Sequence, residues 1–251
     1  MNILAIGNSF SQDATRYLHQ VGHSAGDYLR VVNLYIGGCS LERHYNNMIH
    51  DERAYSLEYN GESTGFNVSI NEALCARTWD IISLQQVSHK SPRYETYQPY
   101  LNALAAYCRQ KCPTAKIVMH MTWAYEQDSK KLCEEMKYTD QYEMFSGLKS
   151  AYISAASEIG AAGIIPSGMT FQNLYNAKIG KFHRDTFHAD LGFGRLALAY
   201  TWYEALTGKS CLDIPFDELD TETSKELIAA AKKAAHDAVA QNAAEGHGLT
   251  F

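Results

Sequence analysis

Asn2-Ile3-Leu4-Ala5-Ile6-Gly7-Asn8-Ser9-Phe10-Ser11 is the stretch on which the reading of this chain turns. Residues 3–7 form a short apolar run closed by a glycine, the pattern of a strand buried on both faces of a parallel sheet. A polar Asn-Ser pair follows, and residues 13–23 then read as a helix. A serine at the carboxyl end of a first strand stands where open α/β sheets bind their ligands. A serine hydroxyl alone is a weak nucleophile at neutral pH. It needs an adjacent base, and the base needs a group that fixes its tautomer.

Working outward, apolar runs at 28–34, 80–84, 116–121 and 162–165 read as further strands. Between and after them, 41–50, 70–77, 97–112, 141–159, 190–206 and 222–244 read as helices, the second capped by Ser69. Strands alternating with helices predict an α/β fold of three layers, α/β/α, around a flavodoxin-like parallel sheet of five strands. Asn60-Gly61 between 55–59 and 65–68 predicts a β-hairpin, expected as an excursion from that sheet. The expected organisation is a single domain over 1–251, with the hairpin insertion at about 51–69 and a C-terminal helix at about 221–245.

The 251 residues are 46% hydrophobic and carry a formal net charge of −6, enough for one sizeable core and without a basic block for a nucleic-acid backbone. No apolar run approaches the ~18 residues of a membrane span, and with the first strand starting at residue 2 or 3 no secretory leader is expected in this chain. The expectation is a cytoplasmic protein with neither nucleic-acid nor membrane partners, and with oligomeric state open. Six dispersed cysteines without a CxxC pair read as free thiols. Cys108 and Cys112 have no neighbouring His or Cys pair to complete a metal site.

A base with its orienting group stands near the C-terminus, in Phe182-His183-Arg184-Asp185-Thr186-Phe187-His188. His188 fits the base, and Asp185, three residues earlier, fits the group that holds its Nδ1–H. Stabilising an oxyanion requires donors aimed at it. The backbone N–H of Ser9, the backbone N–H of Gly38 and the amide of Gln85 are the candidates. Glycine at 37 and 38 allows close approach of the backbone to a substrate.

Gly7-Asn8-Ser9-Phe10-Ser11 resembles the first block of the SGNH (GDSL-type) hydrolases, Gly-Asp-Ser-Leu-Ser. Val31 to Ser40, ending Gly37-Gly38-Cys39-Ser40, resembles their second block, and Asp185-Thr186-Phe187-His188 their last, Asp-x-x-His. Asn8 stands for the usual aspartate, a structural position. The third block, usually Gly-x-Asn-Asp, is replaced by Leu84-Gln85-Gln86-Val87, which with Arg184-Asp185 and Leu206-Thr207-Gly208 resembles a little-characterised branch of that superfamily. The oxyanion asparagine is therefore carried to Gln85, with Gln86 second.

The resemblance implies a serine esterase without cofactor or metal, acting on acyl esters, acetyl above all, of small molecules or carbohydrates. Gln86, Ser88, Trp123, Tyr125 and Arg184 are expected to bind substrate, and Trp123, Tyr125 and Phe187 to offer faces to a sugar ring. Three alternatives stand beside it. Ser9 can be a helix cap. His183, Asp185 and His188 can be metal ligands. The chain can also be a binding protein that kept the fold and lost the chemistry.

Overall fold

The computed structural model describes residues 1–250. Its sheet has seven strands: β1 (Asn2–Gly7), β2 (Arg30–Tyr35), β3 (Tyr55–Tyr59), β4 (Glu62–Val68), β5 (Ile81–Leu84), β6 (Lys116–His120) and β7 (Ile164–Ile165). Their order across the sheet is β4-β3-β2-β1-β5-β6-β7. The five strands from β2 to β7 are parallel, with Ile3 opposite both Val31 and Ile81. Ile3, Leu4, Ala5 and Ile6 are buried because β1 has neighbours on both edges and helices on both faces. The expected three-layer α/β class is the observed one.

The hairpin is a correction. It does not leave the sheet but extends it to seven strands, since β3 runs antiparallel to β2 with Tyr35 opposite Ser56. Asn60 and Gly61 have φ of +51° and +89°, as a tight hairpin turn requires. A Cβ at Gly61 would lie 2.0 Å from the Arg16 carbonyl oxygen, so the tip docks on the α-helical layer.

The helices are α1 (Ser9–Thr15), α2 (Leu18–Ser24), α3 (Leu41–Ile49), α4 (Ile70–Cys75), α5 (Tyr100–Lys111), α6 (Gln141–Glu158), α7 (Ser167–Asn176), α8 (Phe193–Thr207) and α9 (Lys225–Ala244). The single helix expected at 13–23 is two. The first starts at Ser9, because the Asn8 side chain accepts from Phe10 N–H and caps it. The break comes at Tyr17, whose hydroxyl donates to Leu191 O at 2.6 Å and accepts from Asp220 N–H at 2.8 Å. Helices α1, α2, α7, α8 and α9 pack together in one layer, and α3, α4 and α5 in the other. The alanine stripe of α9, Ala231, Ala234, Ala235 and Ala238, lies buried on α7 and α8. Residues 126–138, a charged stretch without clear periodicity, fold as turns around one π-helical turn at Lys131–Glu135. Among the described residues no helix is long and apolar enough to cross a membrane. The six cysteines are unpaired.

Candidate active site

Strand order reverses between β1 and β5, with β2 laid to one side of β1 and β5 to the other. The crevice at that switch point, at the carboxyl ends of the strands, is where an open sheet takes a ligand. Gly7 ends β1 there. A Cβ on it would stand 2.3 Å from Ser11 Oγ and 3.1 Å from Gln85 Cδ, so only glycine lets α1 and the β5 loop close over the strand. Asn8 follows and ties three segments. Its Oδ1 accepts from Phe10 N–H at 3.0 Å and from Gln85 Nε2 at 2.8 Å, and its Nδ2 donates to Cys39 O at 3.0 Å. Because Asn8 does the capping, the Ser9 hydroxyl is left for another partner.

That partner is His188. Ser9 Oγ lies 2.8 Å from His188 Nε2, and His188 Nδ1 lies 2.7 Å from Asp185 Oδ2. A carboxylate only accepts, so Nδ1 carries the proton and Nε2 is the acceptor for the serine hydroxyl. Asp185 Oδ1 also accepts from the His188 backbone N–H at 2.8 Å, which closes the turn on itself. Burial works to raise the Asp185 pKa, but the bonds from His188 and from Phe187 N–H hold it below the usual carboxylate range. Thr186, between them, has φ of +73°, a conformation that costs a β-branched residue of order 1–3 kcal/mol. Its carbonyl accepts from Glu126 N–H at 2.8 Å and its hydroxyl bonds Ser129 Oγ at 3.0 Å, contacts that hold the strained turn in place.

The turn is anchored from below by Asp13 of α1, whose side chain is fully buried. Asp13 accepts from Arg184 Nη1 at 2.9 Å, from Arg195 Nε at 2.8 Å and from Ala189 N–H at 3.1 Å. One carboxylate thus fixes residues on both sides of His188 to the helix that begins with Ser9. Nothing in the sequence pattern marks Asp13, because its partners lie more than 170 residues away.

An open cavity of about 330 Å³ stands over Ser9 and His188. Gly38, Ser88, Tyr125, Lys131, Arg184 and Phe187 are among the residues that line it. Gly38 has φ of +63°, with room around the position of a Cβ. Tyr125 hydroxyl and Ser88 Oγ are 2.7 Å apart. Burial pushes the Tyr125 phenol up to about 12, so it stays protonated. The Phe187 ring lies 4.1 Å from the His188 ring, centroid to centroid.

Three of the residues expected at the site face elsewhere. Gln85 is buried beneath it: Nε2 donates to Asn8, and Oε1 accepts from His120 Nδ1 at 2.6 Å. It does not line the cavity, because a glutamine reaching across from β5 meets Asn8 first. His120 must therefore be protonated on Nδ1 and accept at Nε2 from Ser167 Oγ, 3.0 Å away. Burial lowers its pKa to about 3 and keeps it neutral. This Asn8–Gln85–His120–Ser167 chain links β1, β5, β6 and α7 under the site.

Gln86 is also buried. It accepts from Leu41 and Val87 N–H and donates to Thr96, so it splices loops and does not meet substrate. Trp123 is wholly buried; it stacks on Phe10 at 4.2 Å and donates to Phe187 O at 2.8 Å, backing the site without touching the cavity. Arg184 lines the cavity but spends its charge on Asp13 and not on Asp185. His183 turns away from His188, with Nε2 on Ala124 O at 3.2 Å and Nδ1 facing Glu126. Among the described residues no three His, Cys, Asp or Glu side chains gather as metal ligands would.

A crystal structure of a DUF4886 family protein from Bacteroides uniformis is 36% identical, with a TM-score of 0.90, covering 100% of this chain and 97% of that one. A proposed SGNH hydrolase from Slackia heliotrinireducens is 21% identical, with a TM-score of 0.57 over 81% of this chain and 97% of its own. Axe2, an acetylxylan esterase from Geobacillus stearothermophilus, is 14% identical, with a TM-score of 0.52 over 80% and 91%. The fold is therefore that of the SGNH hydrolases. No curated protein matches the chain. Residues 2–238 match the model of a domain of unknown function, DUF4886, and the chain belongs to that family.

Proposed function

We propose that this protein is a serine hydrolase of acyl esters, with Ser9 as nucleophile, His188 as general base and acid, and Asp185 as the group that orients His188. The observation that carries the reading is the unbroken Ser9–His188–Asp185 series at 2.8 and 2.7 Å, joining parts of the chain 179 residues apart. A serine whose only task was structural would not need an imidazole with its other nitrogen already committed to a carboxylate.

In the first step Ser9 Oγ attacks the ester carbonyl while its proton passes to His188 Nε2. Asp185 stabilises the imidazolium without taking the proton. The backbone N–H groups of Ser9 and Gly38 are the proposed donors to the oxyanion, and Gln85 is left out because its amide is engaged below. His188 then gives the proton to the leaving alcohol. Water, deprotonated by the same imidazole, clears the acyl-enzyme. A small acyl group such as acetyl on a carbohydrate fits an open cavity with the Tyr125 and Phe187 rings on its wall. That the fold is shared with an acetylxylan esterase supports the same substrate class.

Hydrolysis of p-nitrophenyl acetate by the wild type against Ser9→Ala tests the reading. A rate that falls at least 10³-fold in the variant, of order the loss of a triad member, and that a chelator leaves unchanged, is the expected result. Equal rates would favour a binding protein on the same fold, and loss with the chelator a metal-dependent hydrolase.

A further inference from the structure

Among the described residues, the charged side chains of fixed sign that line the cavity are Arg184 and Lys131, with no carboxylate beside them. The chain as a whole is acidic, at −6. Arg184 is paired to Asp13, a carboxylate it shares with Arg195, so the cation of the lining without a carboxylate partner is the Lys131 ammonium. Its nitrogen stands 3.6 Å from the centre of the Phe187 ring, and that ring packs on His188. The position is a built one. Lys131 opens the π-helical turn Lys131–Glu135, and the stretch before it is pinned to the strained catalytic turn by the Glu126–Thr186 and Ser129–Thr186 hydrogen bonds. Its ammonium lies over an aromatic face, which attracts a cation but does not cancel its charge.

Resting on the hydrolase reading above, we propose that Lys131 selects an ester carrying an anionic group, a carboxylate or phosphate on either the acyl or the alcohol side, and that the ammonium binds that group beside the scissile bond. A lysine is a compact point charge on a flexible stem, suited to a single anion held at the rim of a pocket.

The test compares matched esters: 4-acetoxybenzoate against its methyl ester for charge on the alcohol side, and p-nitrophenyl hemisuccinate against p-nitrophenyl butyrate for charge on the acyl side. In the wild type kcat/KM is expected to favour the charged member of at least one pair by about tenfold or more, and to lose that preference as salt is raised well past 0.1 M, where the Debye length falls below ~10 Å. Lys131→Met, which keeps the apolar stem over Phe187, should bring the ratio near one, and Lys131→Arg should keep it. The pair that shows the preference identifies the charged side. Equal ratios in wild type and Lys131→Met for both pairs overturn the inference, while Ser9-dependent turnover of the neutral esters leaves the hydrolase reading intact. Calorimetric binding of 4-acetoxybenzoate and of hemisuccinate to the Ser9→Ala protein gives an answer that needs no turnover. About tenfold weaker binding after Lys131→Met supports the inference, and unchanged binding of both refutes it.

Discussion

Asn8 carries more than the motif it resembles assigns to that position. The usual aspartate could cap α1 and accept from Gln85, but an ionised carboxylate cannot donate to Cys39 O as the Asn8 amide does. The loop that bears Gly38 hangs on that bond. Asn8→Asp is therefore expected to destabilise the protein by about 1–3 kcal/mol at pH 7, the cost of a buried acceptor left facing a charge. The new acid would have a raised pKa, so the penalty should shrink as pH falls and the carboxyl regains a proton. Chemical unfolding of both proteins at pH 7 and pH 5 checks it; a gap that widens on acidification would contradict the argument. The meeting of Ser9, His188 and Asp185 was legible in the sequence because the Asp-x-x-His spacing is local and Ser9 ends the first strand. The inward turn of Gln85, Gln86 and Trp123 was not, since each is decided by partners on other elements: Asn8 and His120, Leu41 and Thr96, Phe10 and Phe187.

At the scale of elements, the Asp185–His188 turn is held by α1 through Asp13. Removing that carboxylate strands two guanidinium groups, those of Arg184 and Arg195, that are mostly shielded from water. Breaking one side of such a buried pair costs about 3–5 kcal/mol. Asp13→Ala is accordingly expected to lose stability of this order, seen in urea unfolding. Below its melting range it should also show kcat lowered about ten- to a hundredfold, because His188 is less well placed. A destabilised variant with unaltered kcat would show that Asp13 serves the fold alone. Strands were readable to within two or so residues from apolar runs and glycine stops. The start of α1 and the path of the hairpin were not. The first depends on whether Asn8 or a later residue caps, and the second on an edge of β2 that only the assembled sheet presents.

Across the whole molecule, two histidines are locked in the interior as neutral groups. His120 lies under the site, and His44 packs on Tyr55 with its Nδ1 2.9 Å from the tyrosine hydroxyl. Burial pushes both down to about 3. The unfolded chain takes up protons on them near the ordinary 6.5 and the folded chain does not. Stability therefore falls as pH drops from about 6.5 toward 3, by about 1.4 kcal/mol per pH unit for each group. Melting temperatures from pH 7 to pH 4 should decline accordingly, with the His120 ring resonances flat above pH 5; stability level across that range would contradict the burial of either ring. The same interior places the first strand at the centre of the sheet and so brings Ser9 to the crevice where the far end of the chain returns with His188.

Intact-mass analysis after reaction with a fluorophosphonate tests that meeting most directly. One adduct is expected, mapped to Ser9, absent in Ser9→Ala and strongly slowed in His188→Ala. No adduct on the folded wild type, or an adduct that survives Ser9→Ala, would contradict it.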